Sequence, residues 1–256
     1  MADKPLATWF DRNGKLLRLR LSRPKANLVD AEMIGALNDA LAAHGSNQDL
    51  LAVLIDHEGP NFSFGASVEE HLPDQCAAML KSMDDLVINI LQSQVPVLVA
   101  VGGQCLGGGL EVACAGNFIF AGLDAQFGQP EIKVGVFAPA ASCLLPAIIG
   151  QAKAEDLLYS GRSVSAVEAA DMGLLHGVAE NPEEAALAYF DEHLADKSAS
   201  VLRHAVRAAR AEYAEGVAVK LRALEDLYLQ GLMETHDAVE GLQAFLEKRQ
   251  AKWENR

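Results

Sequence analysis

Two glutamates, Glu111 and Glu131, each stand beside glycine-rich backbone, and this is where the sequence points to chemistry. Glu111 lies in the first turn of a helical pattern opened by Gly107-Gly108-Gly109, after an apolar run at 97–101 and the pair Gly102-Gly103. Glu131 follows Gly128-Gln129-Pro130. A strand, a glycine loop and a helix start bring bare backbone N–H groups close to whatever binds there. The loop lacks the Lys-Ser or Lys-Thr of a phosphate cradle, and its glycines do not follow the dinucleotide-binding spacing. A single glutamate in a first helical turn is accounted for by the helix dipole. A second in a similar setting favours a site in which paired carboxyls do acid–base work. A further glycine, Gly65 in Phe62-Ser63-Phe64-Gly65-Ala66-Ser67, marks an unusual backbone angle or the close approach of a ligand.

These groups must be positioned by alternating strands and helices. Residues 7–10 and 15–21 read as a hairpin around Asn13-Gly14, whose two residues accept positive φ. Leu17, Leu19 and Leu21 alternate with Arg18 and Arg20, which predicts one buried face. Arg23-Pro24-Lys25-Ala26-Asn27 reads as a loop carrying two cations, a solvated turn on its own terms. Asp30 can cap a helix over 31–44. The run 50–55 reads as a strand covered on both sides. A helix follows with Met79, Leu80, Met83, Leu86, Val87, Ile90 and Leu91 on one core-facing stripe. Residues 117–121 and 133–137 read as strands, and 139–149 and 152–160 as helices. Ser165-Ala166-Val167-Glu168 is a capping box for a short helix that stops at Gly173. From Pro182 onward only helical periods remain. The expected organisation is an α/β body over 1–181 and a helical region over 182–256, packed on its own body or on a neighbouring subunit.

Hydrophobic residues make up 50% and aromatics 6%, a profile of Ala, Val, Leu and Ile cores in α/β proteins. A net charge of −14 argues against nucleic acid or an anionic membrane as partner. It leaves room for an anionic small molecule met by local cations. Cys76, Cys105, Cys114 and Cys143 show no CxxC pair or zinc spacing and read as reduced packing residues, so no metal site is expected. The opening Met-Ala-Asp-Lys-Pro-Leu-Ala-Thr-Trp-Phe shows no leader pattern, and no run approaches membrane-spanning length. The expected compartment is the cytoplasm.

Five segments in this order, LRLRLSRPKAN, FSFGAS, CLGGGLEVAC, FGQPEIKVGVF and GRSVSAVEAADMGLLHGVAE, resemble the enoyl-CoA hydratase (crotonase) superfamily over nearly the whole chain. The resemblance implies an α/β fold, a spiral core of repeated ββα turns followed by helices that mediate trimer contacts, in trimers or dimers of trimers. It implies an acyl-CoA thioester as substrate, with CoA part of the substrate and no separate cofactor. Two backbone N–H groups would hold the thioester oxygen, and the matching positions are Ala66 and Gly108. Preorganised donors of this kind stabilise the oxygen more as it turns anionic than in the ground state. Members with both matching glutamates are commonly hydratases, so Glu111 is expected to orient the water and Glu131 to handle the second proton transfer. Gly65, Ser67, Val68, Phe64, Phe137 and Lys25 are the expected substrate contacts.

The pattern also departs from the superfamily. Ser67 stands where an acidic residue is usual, Asn117 where an Asp is common, and Phe137-Ala138-Pro139-Ala140-Ala141-Ser142 where relatives have a proline- and glycine-rich turn. Phe64, Phe137, Glu69, Glu70 and His71 either shape a pocket for something other than a linear enoyl chain or pack a loop. FSFGASVEEHLPD resembles one branch whose members hydrate a cyclic conjugated dienoyl thioester in anaerobic aromatic degradation. The alternatives on the same scaffold are a short-chain enoyl-CoA hydratase, a hydrolase, an isomerase, and a non-catalytic acyl-CoA-binding protein.

Overall fold

The computed structural model describes residues 4–256. Met1-Ala2-Asp3, part of the opening segment read for a leader, lies outside the described residues. The strands are β1 (Leu6–Asp11), β2 (Leu16–Leu21), β3 (Ala52–His57), β4 (Val97–Val101), β5 (Gln104–Leu106), β6 (Phe118–Gly122), β7 (Gln126–Gly128), β8 (Ser163–Ser165) and β9 (Gly177–Ala179). The helices are α1 (Ala31–His44), α2 (Pro73–Leu91), α3 (Gly108–Ala115), α4 (Pro139–Ile149), α5 (Gln151–Ser160), α6 (Ala166–Met172), α7 (Pro182–Tyr189), α8 (Ala199–Gln230) and α9 (His236–Leu246).

One sheet runs in the order β1-β2-β3-β4-β6-β9, parallel except for the β1–β2 hairpin. The second is β5-β7-β8, with β5 parallel and β8 antiparallel to β7. The chain therefore lays a strand in the first sheet, turns, and lays a short one in the second, twice in succession at β4–β5 and β6–β7. This is the strand–strand–helix spiral that the resemblance implies. The Asn13-Gly14 turn takes φ of 58° and 86°, as the dipeptide predicts. Asp30 and Ser165 cap α1 and α6, accepting from the N–H groups of Met33 (3.0 Å) and Glu168 (3.3 Å).

Two expectations change. Residues 133–137 are not a strand: Pro130–Val134 forms a 3₁₀ turn that Gly135 closes at φ 82°. Ile132, Val134 and Val136 alternate as in a strand, but Pro130 starts a helical turn with its fixed φ and the left-handed Gly135 ends it. The hairpin's second face is also not solvated. Arg18 is only 3% exposed and is ion-paired to Asp56 and to Glu183, with Arg20 bridging the same two acids. The indole of Trp9 lies 4.9 Å from the Arg18 guanidinium carbon. Beside this cluster, α7 and the π-turn Phe190–Leu194 cover the same face, packing Ala186, Phe190 and Leu194 on Leu16, Leu54, Leu98 and Phe120. Asp56→Ala leaves a buried guanidinium short of its main counter-ion. The expected loss is about 3 kcal/mol, the low end of the range because Glu183 and Asp11 remain, read as a lower urea midpoint.

Every described element after Pro182 is helical, and these elements pack on the body. Tyr228 of α8 and Ala238 and Leu242 of α9 join Cys76, Met79 and Leu80 of α2 in one apolar cluster. All four cysteines are buried and unpaired, as expected.

Candidate active site

The first ingredient is a pair of backbone turns pressed together. β5 holds the segment before Gly65 by a ladder in which Ser63 N–H donates to Gln104 O (2.9 Å) and Leu106 N–H to Ser63 O (3.0 Å). On its other side Phe64 N–H donates to Ala26 O and Val29 N–H to Gly65 O. Buried Asn27 fixes this loop through its side chain, donating to Glu58 O and Asn61 O and accepting from Arg23 N–H. The loop with two cations is thus a brace for the Gly65-Ala66 turn. Arg23 is spent on Asp30, the cap of α1.

Gly65 has φ 103°, and a Cβ there would lie 3.0 Å from Leu106 O and 3.5 Å from Gly108 N. A Cβ on Gly108 would lie 3.1 Å from Ala66 N. So the Ala66 and Gly108 amides sit side by side. Among the described residues neither donates to a protein acceptor, and both border one cavity of about 310 Å³. Gly108 opens α3, where the helix dipole adds positive partial charge.

The second ingredient is carboxyl groups. Glu111, 5% exposed, points from the first turn of α3 to the start of α4, where its Oε1 accepts from Ala141 N–H at 2.8 Å. Ala138, the residue before α4, has no side chain that can cap, so a carboxylate from a neighbouring helix does that work. Burial pushes the Glu111 pKa up, and the amides of Ala141 and Ala140 pull it back down. Glu131 is carried by the 3₁₀ turn to a point above Gly107, where a Cβ would meet its Oε1 at 2.6 Å. Gly107 itself takes φ 51°. Burial raises the Glu131 pKa, and the charge of Glu111 raises it further.

Two residues near the glutamates escaped the sequence reading. Gln129, 1% exposed, donates to both Glu131 oxygens (3.0 and 3.1 Å) when its amide is oriented to satisfy its neighbours. Asp84, 7% exposed, lines the same cavity from α2. Burial, followed by the charge of Glu111, pushes its pKa up to about 8. Its signal is present in the sequence, since it sits four residues after Leu80 and three before Val87, inside the apolar stripe.

The rest of the cavity wall is apolar: Met79, Leu80 and Met83 of α2, Val136 and Phe137, and Leu242 and Phe245 of α9. Phe64, Gly65, Val68 and Phe137 line it as expected, together with His71 and Lys133. Ser67 does not line it; its carbonyl lies 2.7 Å from His71 Nδ1. Lys25 is exposed, lies outside the lining, and has no acidic partner among the described residues. Glu69 is exposed and Glu70 Oε1 accepts from Ala31 N–H (3.3 Å), so these two pack the loop rather than shape the pocket. Asn117 Oδ1 accepts from Val97 N–H (2.8 Å) and fixes the edge of β4.

The raised acids set a pH dependence of stability. A carboxyl whose pKa is higher folded than unfolded favours folding below its unfolded value, and that contribution is lost as pH rises through the folded value. For Asp84 the window runs from the ordinary 3.8 to about 8. The urea midpoint is expected to decline between about pH 5 and 8, and Asp84→Asn to flatten that decline.

Residues 11–256 match the enoyl-CoA hydratase/isomerase family. The chain is 63% identical over 255 residues to the cyclohexa-1,5-dienecarbonyl-CoA hydratase of Thauera aromatica, covering 100% of this chain and 99% of that one. It is 31% identical to the carnitinyl-CoA dehydratase of Salmonella typhimurium, over 96% of this chain and 97% of the other. Among solved structures, an enoyl-CoA hydratase/isomerase from Pseudoalteromonas atlantica T6c superimposes with a TM-score of 0.81 at 26% identity, over 98% of this chain and 100% of that one. An enoyl-CoA hydratase from Mycobacterium avium subsp. paratuberculosis K-10 shares the fold, with a TM-score of 0.85 at 23% identity over 98% and 99%. Family match, full-length relatives and fold agree: the chain belongs to the enoyl-CoA hydratase/isomerase family.

Proposed function

We propose that this protein adds water to cyclohexa-1,5-diene-1-carbonyl-CoA, giving 6-hydroxycyclohex-1-ene-1-carbonyl-CoA in the anaerobic breakdown of aromatic compounds. What carries the reading is a full-length identity of 63% to a hydratase of that substrate, in a chain that brings both glutamates and two unpaired amides to one cavity. The thioester oxygen accepts from Ala66 and Gly108. Water attacks the β-carbon, its proton passes to Glu111, and electron density moves through the conjugated system to the thioester oxygen, where the two donors stabilise it. Glu131 serves the second proton transfer. The apolar wall from α2, Phe137 and α9 excludes bulk water and suits a carbocyclic acyl group.

CoA enters as part of the substrate, and the addition needs no further cofactor. Lys133 at the cavity, and Lys25, exposed outside its lining, serve as cations for the CoA phosphates. The C-terminal helices serve trimer contacts, and the enzyme works in the cytoplasm.

The test is to incubate the protein with the cyclic dienoyl-CoA and, separately, with crotonyl-CoA, and to weigh the products. A gain of one water on the cyclic thioester is the expected result. Release of CoA thiol marks a hydrolase, unchanged mass with a moved double bond an isomerase, and water added only to crotonyl-CoA a linear-chain hydratase; each of these overturns the proposal.

A further inference from the structure

Besides His71 and Lys133, the cavity is lined by a carboxyl for which a two-glutamate reaction has no use. The Asp84 carboxyl lines the cavity beside Met83 on the α2 wall and forms no hydrogen bond or ion pair with any described residue. A buried acid without a partner is costly in its charged form, so a purely structural role gives no reason for it. The groups that face it are Glu111 from α3, Glu225 from α8, and Asp85 and Lys81 from α2 itself. Burial first, and then the three acidic members of this set, hold the Asp84 proton in place at neutral pH.

The chemistry of the proposed substrate puts the second proton at a different carbon from that of a linear substrate. In a linear enoyl thioester the second proton is needed at the α-carbon, beside the thioester carbonyl. The Glu131 carboxyl, lying over Gly107 next to the paired amides, is placed for that carbon. In the cyclic diene, water adds at one β-carbon and the electrons shift through the ring. The proton is then needed at the γ-carbon on the opposite limb, at the far end of the conjugated system. That carbon lies on the ring, away from the thioester, and α2, which carries Asp84, is one wall of the cavity that would hold the ring.

We infer that Asp84 is a third catalytic carboxyl, which donates its proton to the far ring carbon while Glu111 takes one from water. The inference rests on the cyclic-substrate reading and refines it: delivery of the second proton, given above to Glu131, passes to Asp84, and Glu131 holds the water with Glu111. The step balances. A water O–H bond breaks as the C–O bond forms at the β-carbon, and the displaced electron pair becomes a C–H bond at the γ-carbon with the proton of Asp84. Glu111 ends protonated and Asp84 ionised, and a proton passing from the first to its neighbour restores both. No oxidant, metal or further reactant is required.

The experiment compares wild type, Asp84→Asn and Asp84→Glu on cyclohexa-1,5-diene-1-carbonyl-CoA, and follows deuterium entering the hydroxy product from D₂O. Asp84→Asn is expected to lower kcat by about 10²-fold or more, with KM changed less than about threefold and no fall in melting temperature at pH 7. It also stops deuterium wash-in at the far ring carbon, and Asp84→Glu restores part of both. Wild-type kcat or wash-in in Asp84→Asn overturns the role of Asp84, and so does an equal loss in both variants with KM raised in step. If Asp84→Asn does not fold, Asp84→Ser takes its place, and the role stands only if that variant fails to exchange where Asp84→Glu exchanges. A wild-type protein that hydrates no cyclic dienoyl-CoA sinks the substrate reading instead, a separate outcome.

Discussion

Glu131→Gln is expected to lower kcat by about 10²–10⁴-fold, the usual contribution of one positioned acid–base group. Binding of cyclohexanecarbonyl-CoA, a saturated analogue that cannot react, should stay within a few-fold of wild type. The amide is nearly isosteric, and the turn that carries residue 131 is set by Pro130 and Gly135, neither of which the substitution touches. The same exchange at Glu111 should cost similar activity with little loss of fold, because the glutamine carbonyl can still accept from Ala141 N–H. Glu111→Ala is different: it abandons the start of α4, and about 1 kcal/mol of stability is expected to go with the cap. Steady-state kinetics beside thermal melts separate the two effects. A Glu131→Gln protein with wild-type turnover removes Glu131 from the mechanism.

Gly108→Pro should lower kcat by about 10²–10³-fold, the effect of deleting one donor to a developing oxyanion. The substitution removes the N–H and sets a ring carbon where it pointed, so the loss is at least that of the donor. Gly108 is the first residue of α3, the helical position at which proline is best tolerated, because the N–H removed is one that the helix does not use. Gly108→Ala is the control that keeps the N–H. Its Cβ would lie 3.1 Å from Ala66 N and 3.3 Å from Ala66 Cβ and Met83 Cε, and only the methionine moves freely, so this variant should lose activity as well, but less than the proline variant because its N–H remains. Wild-type turnover in Gly108→Pro would show that the amide is not a donor to the substrate.

Much of this site can be read before any coordinates exist, and the reasons differ from residue to residue. Glu111 and Glu131 were legible because each adjoins glycines, and glycines advertise backbone that must come close to something. Ala66 and Gly108 came from the resemblance, since nothing local distinguishes an unpaired amide from a paired one. The short strands β5, β7 and β8 were hidden because three residues carry too little pattern, and Gly103, Gly107 and Gly128 at their margins read as loop. The turn at 130–134 mimicked a strand because Ile132, Val134 and Val136 alternate by accident of which way a 3₁₀ turn points them. Asp84 was lost in a stripe of methionine and leucine, where one polar residue looks like noise. Arg18 seemed to face water, because its partners Asp56 and Glu183 lie 38 and 165 residues away, and no periodicity can pair them.

The chain's last helix supplies Leu242 and Phe245 to the acyl cavity, while both glutamates and both amides belong to the first 131 residues. Part of the acyl mould is therefore inherited from the opposite end of the chain to the reacting groups. A chimera that took its final helix from a linear-chain relative would exchange part of the mould around the acyl group and leave the machinery untouched. Evolution of new substrates in this scaffold can proceed the same way, by editing the carboxy-terminal wall.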